Sequence, residues 1–287
     1  LKTKGSWVFQ NLFSFIFMVE DIMRKFMGMS FCLLVLTGVL TAQSYETSPD
    51  TIAVIPEAIW ASASGGGTWQ TEVQVTARDD ITSLYATFYY GGGDYRDVDL
   101  GVTISIYDSF KTTNILEYLG TKDIGFDYFN KIGGIYMHTG GDTHRIQVSV
   151  RTWHSDGYAK SYNAHNSKTG NFISASGPIE GMIKNLFHSM DFRSSLACFN
   201  PDSDPISIQF WFFDAAGQLA GSVVSKTLAA GDFQAYDPFS EAGLGSGVYT
   251  NHNLVVQVQS GAGILYVIGA SANNNTNDPA AHTLVIW

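Results

Sequence analysis

Three groups of residues in this chain have chemistry to offer: histidines, carboxylates and aromatics. Each would need a different kind of site. His138, His144, His154 and His165 lie close together in sequence. His138 and His144 flank a Gly-Gly-Asp turn, so a hairpin would face them across its strands. Asp142 or Asp156 would then complete a metal site. The spacing matches no established ligand pattern, however, and polar histidines beside turns are the plainer reading. Asp202-Ser203-Asp204 and Asp94–Asp99 place carboxylates on loops of the kind that hold Ca²⁺ through oxygen. Neither is followed by the glycine and closing glutamate of a calcium loop, and turn aspartates ordinarily cap the local backbone. Ca²⁺ through Asp202 and Asp204 is the one cofactor to test for; none other is expected.

Catalysis has thinner support. The chain holds no Gly-x-Ser-x-Gly elbow, no His-Glu-x-x-His and no Gly-x-x-x-x-Gly-Lys loop. A glycosidase would need two carboxylates flanking a cleft, roughly 5–10 Å apart. Glu57 and Glu180 recur at a spacing of 123 residues, which points to duplication and not to a catalytic pair. A non-enzyme is expected.

The aromatic residues say more. In Ile206–Phe213 one parity carries Ile206, Ile208, Phe210 and Phe212, while the other carries Trp211 and Phe213. Leu84–Tyr90 repeats the pattern, with Tyr85 and Tyr89 on the second face. A strand that is apolar on both faces either packs on both or presents a stacking platform. Packing is the simpler reading. A platform of Trp211, Phe213, Tyr85 and Tyr89 would take a polysaccharide or a cell-surface protein.

The elements that must position these residues are strands. Period-two alternation runs through Glu72–Val75, Val102–Ile106, Arg145–Arg151, Ile206–Phe210 and Leu254–Gln259. Turns such as Gly91-Gly92-Gly93-Asp94, Asp214-Ala215-Ala216-Gly217 and Gly261-Ala262-Gly263 separate them. Only Lys111–Leu119 and Ile179–Phe187 read as short helices. Many short strands with Gly-rich turns give an all-β sandwich or barrel.

Those strands recur in order. Glu57 and Glu180, Trp69 and Phe192, and Val73 and Leu196 share one spacing; Leu84 then aligns with Ile208 and Phe88 with Phe212. Tyr107-Asp108-Ser109-Phe110 matches Tyr236-Asp237-Pro238-Phe239, and His165 falls opposite His282. An ordered series of this kind indicates two homologous antiparallel β-sandwich units, 43–175 and 176–287.

Ahead of them, Met23-Arg24-Lys25, the apolar Phe31–Leu40 and Thr41-Ala42-Gln43-Ser44 have the order of a secretory signal peptide. The apolar run is too short for the roughly 20 residues of a membrane helix. Residues 1–42 are expected to be removed, leaving a secreted or surface-exposed chain with no membrane span. Cys32 would leave with them, so Cys198 stays alone as a small buried hydrophobe and no intrachain disulfide forms. Lys and Arg number 16 against 26 Asp and Glu, a net charge of −10. That balance offers no basic footprint for nucleic acid.

The second half resembles the tandem β-sandwich modules, immunoglobulin-like in build, of secreted proteins from environmental bacteria. The resemblance rests on Phe192-Arg193-Ser194-Ser195, Asn200-Pro201-Asp202, Asp214-Ala215-Ala216-Gly217, Leu228–Phe233 and Asn277-Asp278-Pro279. The first half departs from it, with Thr76-Ala77-Arg78 in place of the Asn-Pro turn. The resemblance implies a fold and no catalytic residues. A surface, adhesive or structural role follows as the expectation, with carbohydrate binding as the alternative. The uncharged end strand Thr283–Trp287 is expected to pair within the chain and leave a monomer.

Overall fold

Alternating sequences with glycine turns build an antiparallel β structure whose second half repeats the strand plan of the first. The computed structural model describes residues 52–63, 66–140, 144–166, 172–276 and 278–286. The leader, Asp142 and Trp287 lie outside them. Among the described residues no helix is long and apolar enough to cross a membrane.

The first half runs β1 (Ile52–Ser62), β2 (Thr68–Ala77), β3 (Tyr85–Tyr89), β4 (Tyr95–Asp99), β5 (Ser109–Thr112), helix α1 (Ile115–Lys122), β6 (Lys131–His138), β7 (Ile146–His154), β8 (Ala159–Asn163) and β9 (His165–Asn166). Next come the linking strand β10 (Phe172–Ser174) and β11 (Glu180–His188), β12 (Phe192–Asn200), β13 (Ile206–Phe213), β14 (Leu219–Leu228) and β15 (Asp232–Tyr236). Helix α2 (Pro238–Glu241), β16 (Tyr249–Gly261), β17 (Ile264–Asn273) and β18 (Pro279–Ile286) complete the chain. In the first half β4-β3-β6-β1 form one layer and β2, β5, β7 and β8 the other, joined where β1 also pairs with β2. The second half has β14-β13-β16-β11 in one layer and β17-β12-β15 in the other, with β18 bridging both. Strand for strand this is one topology used twice. The uncharged end strand pairs within its own chain, through β11 and β17.

Two expected helices resolve differently. Ile179–Phe187 forms no helix; all of it but Ile179 belongs to strand β11. Its ladder shifts register between Ile183 and Leu186, where Asn185 has φ +61°, so both apolar residues bury on one face three positions apart. A β-bulge thus mimics a helical spacing. Lys111–Leu119 divides at Asn114, whose side chain caps α1 by accepting from the Glu117 backbone N–H.

The register also corrects the Tyr-Asp-x-Phe match. Thr112 sits opposite Val73, and Tyr236 sits opposite the equivalent Leu196. The counterpart of Tyr236 is therefore Thr112, and that of the helix cap Asp237 is Asn114. Tyr107 is 72% exposed with φ +65°, in the turn before the strand. A similar slip affects β3. Phe88 lies opposite Ile135, and Ile208 opposite the equivalent Val258, so Phe88 corresponds to Ile208 and not to Phe212. The hairpin β13–β14 is longer than β3–β4, and Trp211 and Phe213 lie on the extension. His282 in turn matches Tyr162, opposite Gly269 and Val150 respectively, and not His165.

Each half has its own core, one around Val73, Leu84, Phe88 and Ile135 and the other around Leu196, Phe210, Phe239 and Leu254. By contacts they form one compact unit, Thr47–Trp287. The outward residues of β12, β15 and β17 (Ala197, Phe199, Phe233, Tyr266 and Ile268) pack into the first core and not the second. Tyr89 meets Phe199 with ring centroids 5.2 Å apart, and the Gly92 N–H donates to the Asp232 carboxylate at 2.8 Å. The layer β4-β3-β6-β1 is therefore covered on its outer face by the second half. Its counterpart, β14-β13-β16-β11, has no such cover among the described residues.

Candidate functional site: the open outer sheet face

That uncovered layer is the candidate site. Alternation places Ser207, Gln209, Trp211 and Phe213 of β13 outward, because Ile206, Ile208, Phe210 and Phe212 fill the core. Ladder register then aligns the neighbours. Trp211 lies beside Val255, Val255 beside Met182, and Met182 beside Val285. Phe213 pairs with Leu219 at the open edge. Trp211 and Phe213 are half-buried, while Leu219 is 57%, Val223 48% and Val285 41% exposed. The result is an apolar row across a sheet, flanked by exposed aliphatic side chains.

A polar row runs alongside it. The Gln209 amide donates to the Ser225 hydroxyl at 3.1 Å, and the Gln257 amide donates to the Glu180 carboxylate at 3.1 Å. Gln259 in turn donates to the Gln257 amide oxygen at 2.8 Å. Ser207 and Thr227 share a hydrogen bond of 2.9 Å. Between these side chains lies a shallow groove of about 330 Å³, lined by Ser207, Gln209, Ser225, Lys226, Thr227 and Gln259. The Lys226 ammonium pairs with Glu241 at 2.8 Å and lies over the Tyr236 ring. The groove therefore presents hydroxyls and amides beside an indole ring. That combination suits a neutral polyhydroxyl ligand, which needs a flat apolar contact and in-plane hydrogen bonds together.

Trp211 and Phe213 are thus together, but Tyr85 and Tyr89 are not with them. Tyr89 is packed between the halves against Phe199 and Tyr95, and burial raises its phenol above the usual range. Tyr85 stacks on His138 at 5.2 Å. The four aromatics make no single platform, because the first-half face that carries the tyrosines is the covered one.

Among the described residues no group of three or more His, Cys, Asp or Glu side chains converges as a metal site would require. His138 lies 3.9 Å from Asp97 and accepts from the Gly140 N–H. The His144 carbonyl accepts a hydrogen bond from the Thr139 hydroxyl. Asp202 caps the Ser203 N–H at 2.7 Å, and the Asp204 carbonyl accepts from Asn200. These are turn-stabilising roles. Cys198 is buried, and burial pushes its thiol well up, away from reactivity.

No protein-family model matches the chain, and no curated protein matches it in sequence. Solved structures offer distant likenesses. The apo lectin of Pleurotus ostreatus is 8% identical, covering 85% of this chain and 78% of its own, with a TM-score of 0.18. The T13 particle of infectious bursal disease virus is 10% identical over 85% and 72%, with a TM-score of 0.19. At TM-scores this low, neither carries any chemistry across to this chain.

The residues that sequence reasoning missed are Gln209, Gln257 and Gln259; Glu180 was weighed only as a catalytic carboxylate. The signal of the glutamines was the polar parity of β13 and β16, Gln-x-Gln in Gln257–Gln259 above all, where glutamine occupies the outward positions.

Proposed function

We propose that the protein is a non-catalytic binding protein of the cell exterior whose open sheet face takes a neutral polysaccharide. The carrying observation is Trp211 in a flat apolar row beside the Ser225–Gln209 and Gln257–Glu180 pairs and the groove next to them. Residues 1–42, with the order of an export signal, support the exterior location. The test is affinity electrophoresis of the chain in soluble xylan, mixed-linkage glucan, galactomannan and arabinan. Retardation by one or more glycans is expected, with Trp211→Ala weakening it about tenfold, as loss of a central aromatic anchor does. Retardation unchanged in Trp211→Ala, or absent throughout the series, would sink this reading.

A second reading has its own support. The equivalent face of the first half is covered by another β layer, so the open face is shaped to receive one as well. On that reading the chain would self-associate or dock a further sandwich unit. Light scattering would then show a concentration-dependent mass that Trp211→Ala abolishes, without any glycan retardation.

A further inference from the structure

The open face is regular in one direction only. Along β13 the outward side chains change character, from Ser207 and Gln209 to Trp211 and Phe213. Across the strands they keep it. The row Ser225, Gln209, Gln257 and Glu180 is polar on every strand of the layer β14-β13-β16-β11. The next row, two residues and about 7 Å further along the strands, is apolar from Trp211 through Val255 and Met182 to Val285. Val255 is 4% exposed, so the half-buried Trp211 and Met182 on either side of it present the apolar surface.

The polar row also has a sense. The Gln209 amide donates toward β14, to Ser225, and the Gln257 amide donates the other way, to Glu180 on β11. The Gln257 amide oxygen accepts from Gln259, which uses one of its two lone pairs. The middle of the row, between β13 and β16, therefore offers amide oxygens, and an occupant must bring hydroxyl donors to it. A carboxylate would bring no donor and would meet Glu180.

A polymer repeats its contacts only along a line on which the surface repeats its own. Here that line crosses the strands: β13, β16 and β11 each contribute one polar and one apolar side chain. Adjacent strands stand about 4.8 Å apart, close to the advance of one sugar unit in an extended β-1,4-linked chain. A coiled α-1,4-linked chain turns its units away from any straight row. Resting on the polysaccharide reading above, we infer that the face takes a neutral β-1,4-linked chain laid across the strands. About four units fit between β14 and β11 at that spacing, with hydroxyls on Gln209 and Gln257 and ring faces on Trp211 and Met182.

The test is isothermal titration of the chain with β-1,4-linked xylose, glucose and mannose oligomers of two to six units, and with maltohexaose. At least one β-1,4 series is expected to gain about tenfold in affinity from dimer to tetramer and then to level off. Maltohexaose should give no binding heat up to about 10 mM. Met182→Ala should weaken the tetramer about threefold, and by more than Phe213→Ala does, because Phe213 lies on β13 outside both rows. A larger loss in Phe213→Ala would mean a chain running along the strand and would overturn the crossing. Equal affinity for dimer and hexamer, or binding of maltohexaose, would overturn the β-1,4 assignment. So would Trp211-dependent retardation by a polysaccharide when no β-1,4 oligomer binds, an outcome in which the polysaccharide reading itself stands. If no glycan retards the chain, both fall together.

Discussion

The two halves place the same strands in the same order, yet equivalent positions carry opposite chemistry wherever one half covers the other. Gly134 lies opposite Tyr89 in the first half, and Gln257 lies opposite Gln209 in the second. A Cβ at Gly134 would penetrate the Phe199 ring, so only glycine lets the second half approach. Gln257 faces outward and holds Glu180. The glutamates repeat the lesson. Glu57 is buried against Lys160 at the junction, while Glu180 lies on the open layer. The recurring strand plan has the same inward alternation in both halves. Its outer face is packing in one half and a polar, aromatic surface in the other.

If burial makes this difference, the paired glutamates should separate most. Glu57→Gln leaves the buried Lys160 ammonium without its counter-charge and should cost about 3–5 kcal/mol. Glu180→Gln, on the open face, should stay within about 0.5 kcal/mol. Urea midpoints of the two variants measure this directly. Equal midpoints would mean that the junction is wetter than its burial indicates.

Acid should expose a weakness centred on His165 of the first half, to which the second half's His282, whose pKa burial also lowers, adds in the same direction. His165 in β9 is buried beside Tyr266, both ring nitrogens lack partners, and burial lowers its pKa from 6.5 to about 4. The unfolded chain takes up the proton first as pH falls. Stability is therefore full above about 6.5 and declines between there and about 4, where the folded state also protonates. The loss is about 3 kcal/mol over that window. His165→Phe, which cannot titrate, should flatten the decline of the thermal midpoint between pH 7 and pH 4. An unaltered slope would assign the acid sensitivity to other groups.

How far the sequence disclosed this arrangement depends on which interactions decide it. Inward alternation is a local property, so the β class, the duplicated strand order and the pairing of Trp211 with Phe213 were all readable. Register is not local. The Tyr-Asp-x-Phe motif aligned by identity, yet the ladder opposite Val73 and Leu196 decides equivalence, and it puts Thr112 where Tyr236 stands. The bulge at Asn185 made β11 look helical for a related reason, since a single left-handed residue restores burial three positions on. Which outer face is covered could not be read from either half alone. Tyr89 and Trp211 are both outward aromatics on equivalent strands, and only Phe199, from the other half, tells them apart.

The smallest of these effects bears most directly on that coverage. Gly134→Ala adds one methyl group, but it lands in the Phe199 ring and must push the halves apart or turn the ring, at a cost of about 1–3 kcal/mol. Gln257→Ala removes several atoms from the equivalent strand position and should change stability by less than about 0.5 kcal/mol, since its side chain bonds only across an open face. The same variant should weaken glycan retardation, because the Gln257–Glu180 pair loses its donor. A reversed order, with alanine tolerated at 134 and costly at 257, would place the cover on the other face. The polysaccharide surface would then have to be sought around Tyr85 and Tyr89.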